Sequence, residues 1–204
     1  EAPAAADDGV DHGQRQRWPE KAVALVEIVR NLLAGDSVEE DEARVCIFGQ
    51  YEGALRVAAE ALAAAGVAVL TLSSVGLVGR LDALRRFGRQ GEPRVLLLSS
   101  DSFASGLNLQ CARHVVLLHP YCPTMNVVAS ADLITRRSQA EAHAYDTQMI
   151  GRVRRFPQKR AVCVHRLYVR GSVEEELLTA QGLHRRRDGK HTSSSVTCRR
   201  CSRT

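Results

Sequence analysis

Apolar and polar positions along the chain form blocks of two kinds that follow one another in turn. Short, mainly apolar blocks, typical of buried parallel strands, are residues 44–49, 67–72, 94–100, 114–119 and 161–169. Blocks with apolar residues at helical spacing are residues 19–35, 52–66, 77–89 and 171–182. This order predicts an α/β fold in which helices flank a parallel sheet.

Changes in composition suggest the domain boundaries. Residues 1–18 are acidic and rich in Ala, and they predict a disordered lead. The alternating blocks fill residues 19–182, which predict one domain, with residues 124–147 as a partly helical insertion. Residues 183–204 are basic and contain a Ser/Thr run, so they predict a disordered tail. Because the first residue is Glu rather than Met, we expect the chain to belong to something longer.

The charge distribution favours an anionic partner. Residues 1–43 carry 4 Lys and Arg against 11 Asp and Glu, whereas residues 44–204 carry 24 against 12. A basic body of this kind suits nucleic acid or nucleotide phosphates. No apolar run reaches the roughly 18 residues that a membrane span needs, so no membrane association is predicted.

The cysteines predict an intracellular protein with reduced thiols. Four of the six are scattered through predicted strands and loops, namely Cys46, Cys111, Cys122 and Cys163. Cys198 and Cys201 form a single C-x-x-C pair, and no second pair or suitably spaced His accompanies it. We therefore predict no metal site.

The stretch QMIGRVRRFPQKR at residues 148–160 concentrates basic side chains. On a helix, Gln148, Arg152 and Arg155 stand at i, i+4 and i+7 and share one face. That face carries one amide and two guanidiniums, and Gln158 follows as a second amide. A solvated basic face is the ordinary interpretation of such a stretch taken alone.

A second polar stretch follows the predicted strand 94–100. Gly106 allows the backbone to approach a phosphate closely, and Asn108 offers an amide that holds the loop or touches DNA. Ser105 adjoins the glycine. Gly and Asn also favour a plain turn, so taken alone the two interpretations are equal.

Three stretches in this order resemble motifs of the second RecA-like lobe of superfamily-two helicases, most of all Swi/Snf-type DNA-translocating ATPases. RVCIFGQYEGAL at residues 44–55 is similar to motif IV. Residues 94–120, with the core GLNL, look like motif V and its flanking strands, and residues 148–178 look like motif VI and the elements after it. The resemblance covers about residues 19–182 and implies a P-loop NTPase-like fold.

The resemblance implies roles for the residues in these motifs. Arg155 is the implied arginine finger, and Arg152 is its neighbour at the ATP phosphates. Nucleotide and interlobe contacts are implied for Gln148, Gly106 and Gln158, and DNA contacts for Ser105 and Asn108.

The resemblance also implies ligands and partners. ATP and Mg²⁺ are bound mainly by an N-terminal RecA-like lobe that carries the Walker motifs, and the substrate is double-stranded DNA or chromatin. A nuclear location and a role in DNA repair or chromatin remodelling are implied. The chain itself contains no G-x-x-x-x-G-K-[ST], so we predict that it does not hydrolyse ATP alone.

Several positions depart from the family pattern. Pro157 stands where a glycine is usual, His119 where an acidic residue is common, and Tyr121-Cys122-Pro123 replaces Trp-Asn-Pro. The 24 residues between Pro123 and Gln148 exceed the usual handful. These changes affect the DNA side and the connecting loops more than the arginines.

Two alternatives stay open at this point. The chain is a non-catalytic module that binds nucleic acid or a partner, or it is an unrelated doubly wound fold that binds a small nucleotide. The second predicts a Gly-rich loop after the first strand, where only Gly49 and Gly53 occur.

Overall fold

The computed structural model describes residues 18–35, 43–72, 76–100, 107–122, 131–183 and 196–201. The strands are β1 (Val45–Gly49), β2 (Val69–Thr71), β3 (Val95–Ser99), β4 (His114–Leu117), β5 (Cys163–Val169) and β6 (Val196–Cys201). The helices are α1 (Glu20–Gly35), α2 (Glu52–Ala64), α3 (Leu77–Phe87), α4 (Ala131–Val153) and α5 (Val173–Ala180). Every strand and helix predicted from the apolar blocks is present, with ends that differ by a few residues.

The strands form one sheet in the order β2-β3-β1-β4-β5-β6. The first five are parallel, and Val45 of β1 lies between Val95 of β3 and His114 of β4. The predicted α/β fold with a parallel sheet is therefore confirmed. Because parallel strands share a direction, the sheet has one amino end and one carboxyl end, and loops gather at each.

The hydrophobic core lies on both faces of the sheet. On β1, Phe48 belongs to a cluster that includes Phe87 of α3 and Met149 of α4. The neighbouring Ile47 points to the other face and belongs to a cluster that includes Leu25 of α1. All four strands β1, β3, β4 and β5 are therefore covered on two sides, which explains their almost unbroken apolar sequences.

Helix α4 occupies most of the predicted insertion. It runs continuously from Ala131 to Val153, so residues 131–147 are helical and lead directly into the basic stretch. Met149 and Val153 are fully buried and fix the last turns of this helix against the sheet. Most of the predicted insertion is thus the first part of α4, whose last turns pack on the sheet.

The tail differs from the sequence prediction at one stretch. Val196–Cys201, predicted as part of a disordered tail, is strand β6, paired antiparallel with β5 from Val169 to Val164. The free edge of β5 offers unpaired backbone groups, and the β-branched Val196 and Thr197 suit a strand. This pairing depends on a distant segment and could not be inferred from the composition of the tail.

Helix α5 begins with a modified form of the capping box, in which a Ser and a Glu three residues later bond each other's backbone amides. The Ser172 hydroxyl accepts a hydrogen bond from the amide of Glu174 at 3.2 Å. The carboxylate of Glu175 accepts from the amide of Gly171 at 2.8 Å rather than from Ser172 itself. Both side chains therefore satisfy free backbone amides at this helix end. Each bonds the amide one residue before the one used in the usual capping box.

Among the residues that the structure describes, no helix has the length and apolar character needed to cross a membrane.

Candidate functional site

The amino end of the sheet brings the end of α4 next to the loop before β4. Helix α4 ends at Val153 and the chain returns to the start of β5, so its last turn lies at this end. The Leu109 amide donates a hydrogen bond to the Arg152 carbonyl oxygen at 3.1 Å. The two polar stretches singled out in the sequence therefore meet through their backbones.

Gln158 joins the same two segments through its side chain. Its Nε2 donates to the carbonyl oxygens of Gln110 at 2.7 Å and of Ala112 at 3.0 Å. Its Oε1 accepts from the Arg160 amide at 3.1 Å. The amide group is thus used at both ends, and it fixes the turn after α4 to the loop before β4.

Gln110 completes this connection in the opposite direction. Its side-chain amide donates to the Phe156 carbonyl oxygen, and its backbone amide donates to Asn108 Oδ1 at 3.3 Å. The sequence analysis did not single out Gln110. Its place directly after the motif V core was its only signal in the sequence. Its bond to Phe156 joins residues 46 positions apart and therefore requires the folded chain.

Arg152 is buried without a compensating carboxylate. Its exposed fraction is 8%, and burial lowers the pKa of its guanidinium from the ordinary value. Within the described part of the chain, no hydrogen bond or ion pair engages this guanidinium. A partly desolvated cation without a carboxylate partner suits an external anionic ligand.

Arg155 does not lie on the helix, which corrects the prediction of one shared face. Helix α4 ends at Val153, and the Arg155 amide donates to the Val153 carbonyl oxygen at 3.1 Å in a tighter turn. Pro157 explains this early end, since proline lacks a donor and clashes with the carbonyl four residues earlier, that of Val153. Arg155 is exposed after the helix, and Gln148 is exposed on it.

The remaining predicted site residues have different outcomes. Asn108 is exposed, and its side-chain oxygen holds the backbone of its own loop. Ser105 and Gly106 lie outside the described residues. The structure thus brings Asn108, Arg152 and Gln158 to one place through shared loop contacts, with Arg155 two residues beyond the helix.

The carboxyl end of the sheet is joined by neutral hydrogen bonds. The Gln50 side chain accepts from the Cys122 amide at 2.8 Å and donates to its carbonyl oxygen at 3.2 Å. The Gln50 backbone amide donates to His119 Nε2 at 3.0 Å, and Gln181 donates to the Tyr121 carbonyl oxygen at 2.7 Å. The loop after β4 is therefore held from β1 and from the end of α5.

Two cations near this second end are paired with carboxylates. Arg166 of β5 donates to Asp146 of α4, including a contact from Nε to Oδ2 at 3.2 Å. Lys21 of α1 pairs with Glu174 of α5. Burial lowers the pKa of Lys21, and the hydrogen bond and charge of Glu174 oppose that effect.

An apolar groove of about 460 Å³ also lies at this carboxyl end. Tyr51, Val57, Leu118, Val173 and Leu177 are among its lining residues. None of the predicted site residues lines it, so the groove and the arginines are separate features. Within the described residues, no group of three His, Cys, Asp or Glu side chains could hold a metal ion.

A comparison with protein families decides the identity of the domain. The model described as "Helicase conserved C-terminal domain" matches residues 23–157, which is more than half of the chain. The chain belongs to the helicase conserved C-terminal domain family. The resemblance to the second RecA-like lobe of Swi/Snf-type helicases is confirmed.

Several relatives of this helicase domain are long proteins. "DNA (cytosine-5-)-methyltransferase DMT5" of Cryptococcus neoformans var. grubii is 33% identical over 161 residues, 78% of this chain and 6% of the relative. Human "E3 ubiquitin-protein ligase SHPRH" is 26% identical over 175 residues, 84% of this chain and 9% of the relative. The chain therefore spans less than a tenth of the length of either protein.

A solved structure of similar fold is the C-terminal part of the Fun30 ATPase domain. It superposes with a TM-score of 0.64 at 19% identity and covers 87% of this chain and 49% of that one. The helicase domain described here therefore has the same fold as that lobe.

Two departures from the family pattern, His119 and Cys122, lie away from the arginine site. They take part in the neutral hydrogen bonds at the carboxyl end of the sheet.

Proposed function

We propose that this helicase domain is the second motor lobe of a DNA-dependent ATPase of the Swi/Snf type, and that it supplies Arg152 and Arg155 to ATP hydrolysis. The observation that carries the proposal is Arg152, a largely buried residue whose guanidinium has no carboxylate partner among the described residues. It lies next to an exposed arginine on a turn that two glutamine side chains hold in place.

These residues fit a triphosphate. A guanidinium presents a planar set of donors that matches phosphate oxygens, and Arg152 has no competing partner among the described residues. ATP, when bound between two lobes, supplies the phosphoryl group that is transferred to water. Mg²⁺ is held by the first lobe in this proposal, since the chain lacks its own Walker motifs.

The two arginines have different tasks. Arg152, fixed by the buried end of α4, binds and orients the phosphates. Arg155, exposed on the turn, is the finger that stabilises charge on the transferred group. In GTPases such a finger is worth about 10³–10⁵ in rate. Gln148 lies earlier on α4 and reports the nucleotide state to the lobe interface, and Gln158 fixes the turn.

Double-stranded DNA or chromatin is the substrate in this proposal. Ser105 and Asn108 contact the DNA backbone rather than base edges, so the motor moves without reading sequence. Binding that neutralises phosphates weakens as salt rises. Relatives named as DNA repair proteins, such as rad8 of Schizosaccharomyces pombe at 27% identity, support a nuclear role in repair or chromatin remodelling.

The test is ATP hydrolysis by the full-length protein with and without double-stranded DNA. We expect DNA-stimulated turnover that falls about 10³-fold or more in Arg155→Ala, because the transition-state charge loses its partner. The matched control is Arg154→Ala, which removes the adjacent exposed arginine and should keep turnover within about threefold.

Two outcomes would contradict the proposal. Unchanged turnover in Arg155→Ala would remove the finger role. No turnover in the wild-type full-length protein would favour a non-catalytic module that binds nucleic acid or a partner. The 204-residue chain alone is expected to hydrolyse no ATP above background, and robust turnover by it would contradict the need for a first lobe.

A further inference from the structure

Phe156 presents an aromatic ring to solvent beside the proposed finger. Its exposed fraction is 93%, although phenylalanine is among the residue types most often buried. A single exposed apolar side chain is ordinary on a protein surface. What distinguishes Phe156 is the way in which its backbone is fixed.

The turn that carries Phe156 is held from both sides. The Gln110 side chain donates to the Phe156 carbonyl oxygen, and the Gln158 amide donates to the Arg155 carbonyl oxygen at 2.8 Å. Gln158 in turn donates to the Gln110 carbonyl oxygen at 2.7 Å. The loop before β4 therefore keeps the ring outside the core, where it cannot fold back without breaking these bonds.

The position of the ring relative to Arg155 indicates what covers it. The two residues are consecutive, so their Cα atoms are about 3.8 Å apart. In the proposed function, Arg155 reaches phosphates that are held by the first lobe. Whatever holds those phosphates therefore approaches the Phe156 ring at the same time.

We propose that Phe156 is an apolar anchor that docks on the nucleotide-bearing first lobe when the two lobes close. This inference rests on the proposed function and adds the contact that positions the finger. Aromatic and arginine side chains together are typical of residues that dominate the energy of protein interfaces. Phe156 has no polar group of its own, so its contribution is apolar and depends on shape rather than on hydrogen bonds.

The experiment compares Phe156→Ala and Phe156→Leu in the full-length protein. At saturating ATP and DNA, kcat should fall about tenfold in Phe156→Ala, because the closed state loses an apolar contact. Phe156→Leu should stay within about threefold of wild type, since leucine keeps apolar volume. KM for ATP and for DNA should stay within about twofold in both variants.

Two controls separate docking from other effects. Val78→Ala removes another exposed apolar side chain, on α3 away from the turn, and should leave kcat unchanged. The melting temperature of the 204-residue chain should be the same for Phe156→Ala and wild type, because the ring contributes little to the core.

Each remaining result would overturn the inference. A raised KM for ATP, equal in the Ala and Leu variants, would mean that the ring stacks on adenine. A raised KM for DNA with unchanged kcat would mean that it stacks on a base. Full activity of Phe156→Ala, while Arg155→Ala is inactive, would leave the proposed function and remove only the anchor. Full activity of Arg155→Ala would instead overturn the function itself.

Discussion

Arg166 and Arg152 are two mostly buried arginines, one on β5 and one at the end of the helix that leads into it. The Arg166 guanidinium contacts the Asp146 carboxylate, so its charge is compensated inside the domain. The Arg152 guanidinium has no such partner among the described residues, and its pKa is lowered by burial. The first arrangement is sufficient for a structural role. The second leaves a cation that, in the proposed function, the nucleotide phosphates compensate.

The same contrast separates the two ends of the sheet. At the carboxyl end, Gln50 and Gln181 hold the loop after β4 through backbone groups, and Lys21 and Arg166 are paired with carboxylates. At the amino end, Gln110 and Gln158 hold the turn after α4 in a similar way, but the guanidinium of Arg152 on the preceding helix has no carboxylate partner among the described residues. Similar amide connections therefore occur at both ends, and in the proposed function only those at the amino end also position a catalytic charge.

Removing the carboxylate of Asp146 tests whether its pair with Arg166 stabilises the fold. Asp146→Ala leaves the Arg166 charge without its carboxylate, and breaking a buried pair from one side is strongly destabilising. We expect the free energy of unfolding of the chain to fall by about 3 kcal/mol, measured by urea denaturation.

The control is the double variant Asp146→Ala with Arg166→Met. It removes both charges and should recover much of the lost stability, because an apolar pair can replace a buried ion pair at little cost. If the free energy of unfolding of Asp146→Ala alone stays within about 0.5 kcal/mol of wild type, the two arginines do not differ as described.

Truncating Gln50 and Gln158 compares the two amide connections directly. Gln50→Ala removes two hydrogen bonds to backbone groups and Gln158→Ala removes three, so each should lower the free energy of unfolding by about 1–3 kcal/mol. In the full-length protein, Gln158→Ala should also lower DNA-stimulated turnover, whereas Gln50→Ala should not. Equal loss of turnover in both would show that the two ends act alike.

The order of strands and helices was predictable because it depends on local apolar periodicity. Strands such as Val95–Ser99 are apolar up to their last residue, and helices such as Glu52–Ala64 have apolar residues at helical spacing. Strand Val196–Cys201 was missed because its stability comes from the edge of β5 and not from its own composition. Local signals therefore gave the layers of the fold but not its last strand.

The candidate site was predictable as residue types and spacing, and less so as geometry. The contact of Gln110 with Phe156 and that of Asp146 with Arg166 join residues 46 and 20 positions apart, so they require the folded chain. The departure of Arg155 from the helix did have a local signal. Pro157 disfavours helix at the residue before it, which the spacing argument did not take into account.

Replacing Arg152 with methionine gives the smallest expected change in stability and the sharpest test of the contrast. Met keeps the apolar stem and removes a charge that no described carboxylate compensates, so the free energy of unfolding should change by less than about 0.5 kcal/mol or rise slightly. Arg166→Met, the matched control, should lower it, because Asp146 then remains buried without its cation. In the full-length protein, Arg152→Met should at the same time weaken ATP binding and turnover. A loss of stability as large as that of Arg166→Met would make Arg152 a structural residue. Only the combination of a stable domain and an impaired motor matches a cation whose partner is the nucleotide.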